Sequence, residues 1–99
     1  MDTKKHLDSV WLTILLYTGR KVDRYSLSME EIEQVLTTTD YYDRVLRVTY
    51  DSKEANKLII ERQKELETLC LNIIKRISLE KYEQSVLFST GEIIILNLQ

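Results

Sequence analysis

Glycine and proline are almost absent from this chain, and this scarcity constrains its fold more than any other feature. The 99 residues include two glycines and no proline, whereas average usage predicts roughly a dozen of the two together. Loops must therefore be short, and the backbone loses less entropy on folding than a glycine-rich chain would. We expect a single domain, residues 1–99, because cores divide only in chains roughly two to three times longer.

Composition and charge indicate a globular protein without a general phosphate-binding surface. Hydrophobic residues make up 43% of the chain and charged residues 30%, which excludes an intrinsically disordered protein. The formal net charge of −2 argues against a protein whose whole surface neutralises nucleic-acid phosphates. It does not exclude a local basic surface. The apolar run VWLTILLY is interrupted by Thr13 and is too short to span a bilayer. We therefore expect no membrane association and a cytoplasmic location.

The first predicted helix runs from about residue 3 to residue 18. Its apolar residues recur at the three- and four-residue spacing of one helix face, and further apolar residues widen that stripe. Gly19 then provides a left-handed cap. A helix that is apolar on more than one face lies centrally in the core or is shared with another chain. The stripe comprises Leu7, Val10, Trp11, Ile14 and Leu15, and the residues that widen it are Leu12, Leu16 and Tyr17.

Two capping boxes mark the starts of the second and third helices. Ser28 is followed three residues later by Glu31, and Asp51 is followed by Glu54, the spacing at which each side chain caps the backbone of the other. The second helix ends weakly in three consecutive threonines. The third helix keeps its apolar spacing to about Ser78 and is the longest element, although its middle, ERQKE, is polar all round.

Two segments predict β-structure and decide the expected fold class. Between residues 41 and 50, Leu46, Val48 and Tyr50 alternate with polar residues, which favours a strand over the alternative of a further helical turn. Near the C-terminus, Gly91 separates two β-rich runs and predicts a hairpin. The expected fold is therefore α+β: three main helices, one of them long, packed on a small antiparallel sheet with a C-terminal hairpin.

The chain carries more apolar surface than a small monomer easily conceals. The predicted last strand is apolar on successive positions and would need cover on both faces. We therefore predict a homodimer; the alternative is a well-packed monomer with a central hairpin. The residues predicted for the self-interface are Trp11, Leu12, Leu16, Ile93, Ile94, Ile95 and Leu96.

No residue pattern indicates catalysis or metal binding. His6 is the only histidine, and its position at a helix start favours an exposed residue without a catalytic role. Cys70 is the only cysteine, so an intrachain disulfide is impossible, and its apolar neighbours indicate a small buried hydrophobe. No ligand set matches the usual zinc spacings. We therefore predict no catalytic residue, no metal, no cofactor and no enzymatic activity.

The charged residues leave one functional alternative open. Residues 28–43 include five acids and no base, which we interpret as stabilisation of a helix dipole and, if functional, as a face for a basic partner. The same acidic segment disfavours the helix-turn-helix of a winged-helix protein, because such a motif needs positive charge facing the DNA phosphates. Basic residues concentrate in residues 44–81, with nine Lys and Arg against six acids. In this alternative, the nucleic-acid contacts would be Arg44, Arg47, Lys75 and Arg76.

The segments LIIERQKELETLCLNIIKRI and GEIIILNL are rich in isoleucine, and Lys, Glu and Arg are interleaved in the first. In this composition the chain resembles the short orphan proteins of viruses that infect hyperthermophilic archaea. The resemblance implies a thermostable viral protein with a small α+β fold that binds a host or viral macromolecule. Our prediction is a small, non-enzymatic, homodimeric binding protein with an unknown protein partner; the alternative is a nucleic-acid-binding regulator.

Overall fold

The computed structural model describes residues 3–98, with side chains described for residues 5–87, and it consists of three α-helices. Among these residues there is no strand, so the fold is all-α and the predicted α+β class is wrong. The helices are α1 (Thr3–Thr18), α2 (Met29–Arg47) and α3 (Ser52–Leu98), and a short 3₁₀ turn (Arg24–Ser26) lies between α1 and α2.

The strand predicted between residues 41 and 50 is a helix end followed by a short loop. α2 continues to Arg47, and Val48 and Tyr50 are exposed to solvent. Their alternation with polar residues is too short to separate a strand from the end of a helix. A strand also needs a pairing partner, and β-propensity has little effect without one.

The predicted C-terminal hairpin is wrong as well. α3 is 47 residues long and passes through Gly91 and the aliphatic run 93–96, well beyond the predicted end near Ser78. No proline interrupts it, and a helix satisfies each internal backbone N–H and C=O group within its own segment. The winged-helix alternative is wrong too. The described residues contain no hairpin that could form a wing, and the segment proposed as the helix-turn-helix is a single uninterrupted helix, α2.

The predicted helix starts and the first helix end are confirmed. α1 has the predicted bounds, and Gly19 follows it with a φ of 71°. The Ser28 hydroxyl accepts a hydrogen bond from the Glu31 amide at 3.1 Å, and the Glu31 carboxylate accepts one from the Ser28 amide at 2.9 Å. α3 also starts where predicted, but the capping box of Asp51 and Glu54 is not formed: the Asp51 carboxylate instead accepts a hydrogen bond from the Lys53 amide at 3.0 Å.

All three helices contribute to one core around the middle of α3. α2 runs antiparallel to α3, because Glu31 near its start bonds to Arg76 while Tyr42 near its end bonds to Glu65. Cys70 is fully buried, as predicted, and burial raises the pKa of its thiol to about 11. The core residues are Val10, Ile14, Leu27, Ile32, Val35, Leu66, Cys70, Ile73 and Ile77.

The molecule is elongated because α3 extends past this core. Forty-seven residues correspond to about 70 Å of helix, and the longest dimension of the molecule is 72 Å. The radius of gyration is 19.0 Å, against about 13 Å for a compact domain of this size. Ile77 is the last core residue among those whose side chains are described, so we call residues 78–98 the α3 arm and the preceding residues the body. No helix among the described residues has the length and apolar character needed to cross a membrane.

Candidate interaction surfaces

The α3 arm has no cover over its described side chains. Every side chain from Ser78 to Leu87 is exposed. Leu79, Tyr82 and Val86 are separated by three and four residues, so they lie on one face of the helix. Their side chains are between 45% and 68% exposed. This stretch therefore presents a continuous apolar face to solvent.

That face points away from the body. Leu79 follows the core residue Ile77 by two residues, which places it about 200° farther around the helix. Leu71 and Lys75, in the part of α3 that belongs to the body, lie on the same side as the arm residues and are also exposed. We call the exposed residues on this side of α3, in both the body and the arm, the outer stripe. At about 100° of rotation per residue, they all fall within about 80° of one another around the helix axis. The outer stripe comprises Leu71, Lys75, Leu79, Tyr82 and Val86.

The residues predicted for the self-interface are divided between two elements. Leu12 and Leu16 are exposed one turn apart on α1. Trp11 is half-buried against the segment that follows α1: its indole N–H donates to the Val22 carbonyl at 2.6 Å, and the Arg24 guanidinium lies 4.5 Å from its ring centroid. The aliphatic run Ile93, Ile94, Ile95 and Leu96 lies on the α3 arm, where its side chains are outside the described set.

The four basic residues proposed as nucleic-acid contacts do not form one surface. Arg44 pairs with Asp40 at 2.8 Å, and Arg47 is exposed in the last turn of α2. Arg76 instead contacts the first turn of α2, about 20 Å away along that helix. Lys75 is exposed on the outer stripe. The structure therefore separates Arg44 and Arg47 from the other two.

Arg76 joins α3 to the start of α2. Its Nε donates to Glu31 Oε2 at 2.9 Å, and its Nη2 donates to Glu31 Oε1 at 2.5 Å and to the Ser26 carbonyl at 2.7 Å. Its Nη1 donates to Glu80 at 2.9 Å. Sequence reasoning missed this role, since Glu31 and Ser26 lie 45 and 50 residues away along the chain and no local pattern connects them.

The ionisation of this pair follows from its geometry. Burial by itself would raise the pKa of the Glu31 carboxyl, but hydrogen bonds from Arg76 and the Ser28 backbone and the charge of Arg76 lower that pKa below its usual value. The hydrogen bond to Glu31 is the main cause that raises the pKa of Arg76. Both groups therefore stay charged around neutral pH.

An open, acidic groove of about 860 Å³ runs between α2 and α3. Tyr42 lies in this groove, and its hydroxyl donates a hydrogen bond to Glu65, which raises the pKa of Tyr42 to about 12. The excess of carboxylates would favour a cationic ligand over an anionic one. The ionisable residues that line the groove, besides Tyr42, are Glu30, Glu33, Glu61, Lys64 and Glu65.

His6 and Cys70, the only histidine and the only cysteine in the sequence, differ in their burial. His6 is half-buried on α1 and Cys70 is in the core. Within the part of the chain whose side chains are described, no three His, Cys, Asp or Glu residues are arranged to hold a metal ion. No protein-family model, curated protein or solved structure matches this chain.

Proposed function

We propose that this protein is a non-enzymatic interaction protein that forms a homodimer through the α3 arm. The observation that carries the proposal is the exposure of the arm: from Ser78 to Leu87 no side chain is covered, yet three large apolar residues share one face. Aligned, exposed apolar side chains of this kind mark interaction sites in folded proteins.

The length of the arm supports the same proposal. α3 continues for 21 residues past Ile77, which corresponds to about 32 Å of helix, and in the part of this stretch whose side chains are described, Ser78 to Leu87, every side chain is exposed. Isolated helices are only marginally stable in water, and most helical stability in proteins comes from packing an apolar face. A second copy of the chain that covers this face would stabilise the arm as a helix.

The dimer is also expected to engage a macromolecular partner. The acidic groove between α2 and α3 favours a basic partner, because four carboxylates and one lysine line it. The compositional resemblance suggests that this partner is a viral or host protein. A cytoplasmic location belongs to the same proposal and is supported by the single buried thiol of Cys70, since disulfides are rare in reducing compartments.

Sedimentation velocity at micromolar concentration tests the dimer. The wild-type chain should sediment at about twice its monomer mass of 11.8 kDa. The substitution Val86→Glu places a charge on the apolar face and should give a monomer whose body keeps its helical circular dichroism. Gln84→Glu is the matched control, because Gln84 lies on the opposite side of the arm and its replacement should leave the dimer intact. A wild-type monomer mass at this concentration would overturn the proposal.

Nucleic-acid binding is the alternative, and two exposed arginines at the end of α2, Arg44 and Arg47, support it. The pairing of Arg44 with Asp40 and the engagement of Arg76 by Glu31 weaken that support. Binding of single- and double-stranded DNA and RNA, measured at increasing salt, separates the two proposals because phosphate contacts weaken steeply with salt. Retention that falls steeply with salt and is lost in the double variant Arg44→Gln/Arg47→Gln would favour the regulator.

A further inference from the structure

We infer that two copies of the chain pair antiparallel along the outer stripe, with Leu79 of each chain at the two-fold axis. This inference rests on the proposed dimer and specifies how its two subunits meet. The occupant of the outer stripe is then a second α3 helix, and the contact includes the body of each subunit as well as its arm.

Charge complementarity favours this arrangement. Lys75 and Glu83 lie four residues before and four residues after Leu79, and both are exposed. In an antiparallel pair centred on Leu79, Lys75 of each chain is level with Glu83 of the partner subunit, which creates two equivalent ion pairs. The stem of Lys75 also falls within one residue of the level of the partner's Tyr82, on which a cation can pack.

A parallel pair would place like charges together. Lys75 would lie level with the partner's Lys75, and Glu83 level with the partner's Glu83. Like charges at such positions are destabilising by amounts similar to those that opposite charges contribute. The charges of Lys75 on the outer stripe and of Glu83, about 40° beyond its edge, therefore select the antiparallel direction for two identical chains.

The body exposes the same side of α3 that the outer stripe occupies on the arm. The outer stripe lies opposite the core residues of α3, and α2 flanks it, because Lys64 and Thr68, which fall within the same angular range, line the groove between α2 and α3. With Leu79 at the axis, the end of α3 at Leu98 is level with Ile60 of the partner subunit. Ile60 and Leu71, two large apolar residues exposed on the outer side of α3 within the body, would then both be covered by the partner's arm.

Charge reversal tests the pairing. At low salt, Lys75→Glu and Glu83→Lys should each raise the dimer dissociation constant about tenfold, since each replaces two attractive pairs by repulsive ones. The double variant Lys75→Glu/Glu83→Lys should return to the wild-type value. Lys81→Glu is the control, because Lys81 points away from the outer stripe and its reversal should change the constant little. The differences should shrink at high salt.

Single reversals that leave the dissociation constant unchanged would overturn the antiparallel register, because a parallel dimer already has like charges at both levels. A double variant that stays weak would overturn it as well. Neither result would affect the proposed dimer, whose failure is recognised separately by a wild-type monomer mass.

Cysteine cross-linking gives an independent readout of the register. Asn72 is level with Val86 of the partner subunit in the inferred pair, so mixing the Asn72→Cys and Val86→Cys variants under mild oxidation should yield a mixed disulfide dimer. Each variant alone should cross-link poorly, because its two introduced thiols would be about 21 Å apart along the helices, and Cys70 is buried. Efficient cross-linking of either variant with itself would refute the antiparallel arrangement.

Discussion

Replacing Arg76 with methionine should release the start of α2 from α3 and destabilise the fold. Methionine keeps the length of the apolar stem but removes every hydrogen-bond donor. The change breaks the two hydrogen bonds to Glu31 and the one to the Ser26 carbonyl. It also leaves the Glu31 carboxylate, whose side chain is only 15% exposed, without its cationic partner.

The magnitude follows from how far this pair is removed from water. Exposed ion pairs contribute about 0 to 1 kcal/mol, while breaking a fully buried pair costs about 3 to 5 kcal/mol. Arg76, with 31% of its side chain exposed, lies between these limits, and hydrogen bonds to charged groups contribute about 1.5 to 3 kcal/mol. We therefore expect Arg76→Met to lower the free energy of unfolding by about 2 kcal/mol.

Urea denaturation followed by far-UV circular dichroism, at one fixed protein concentration and neutral pH, measures this loss. Glu31→Gln completes a double-mutant cycle, because glutamine keeps the acceptor of the capping box while it removes the charge. The coupling between the two positions should exceed about 1 kcal/mol. Glu80→Gln is the control and should change stability by less than about 0.5 kcal/mol, since that pair is more exposed. A change below about 0.5 kcal/mol for Arg76→Met, with coupling near zero, would refute the reasoning.

Three further predictions concern acid stability, the end of α1 and the core. The pKa of Glu31 is lowered in the folded state, so its contribution to stability is present above the ordinary pKa of 4.5 and is lost as the pH falls through the folded value. The free energy of unfolding of Arg76→Met should therefore fall less steeply with decreasing pH than that of the wild-type protein. Gly19→Ala should destabilise the protein by about 1 kcal/mol in urea, because its φ of 71° is strained for a side chain; an unchanged midpoint would contradict this. Leu66→Ala should lower the free energy of unfolding by about 2 to 5 kcal/mol, whereas Leu16→Ala, at an exposed position, should change it by less than about 0.5 kcal/mol; equal losses would contradict the assigned core.

The structural features that were predictable from the sequence depend on residues within one or two helical turns of one another. The capping box of Ser28 and Glu31 needs only residues three apart, and the left-handed cap at Gly19 needs only one flexible residue. The apolar spacing of α3 from Leu66 to Ile77 predicted a buried face for the same reason, since a helix repeats its faces every three or four residues. None of these three features depends on the rest of the fold.

The two segments that were predicted to form β-structure show the limit of local sequence patterns. Residues 41–50 and the aliphatic run 93–96 have side chains typical of strands, but a strand is stable only beside another strand. The scarcity of glycine and proline was the more informative signal, because no proline interrupts α3 and a single glycine weakens a helix by only about 1 kcal/mol. It predicted short loops, and it also permits one helix to reach from residue 52 to residue 98.

The sequence by itself determined the starts of the helices, the end of α1 and the stripe of α3 that enters the core. Tertiary structure alone decided that Arg76 joins α3 to Glu31, 45 residues away, and that the outer stripe stays exposed while the opposite face of α3 is buried from Leu66 to Ile77. The physical reason is the range of the interactions. Caps and helical spacing depend on neighbours within a turn or two, whereas the partners of a side chain across the fold depend on how complete helices pack.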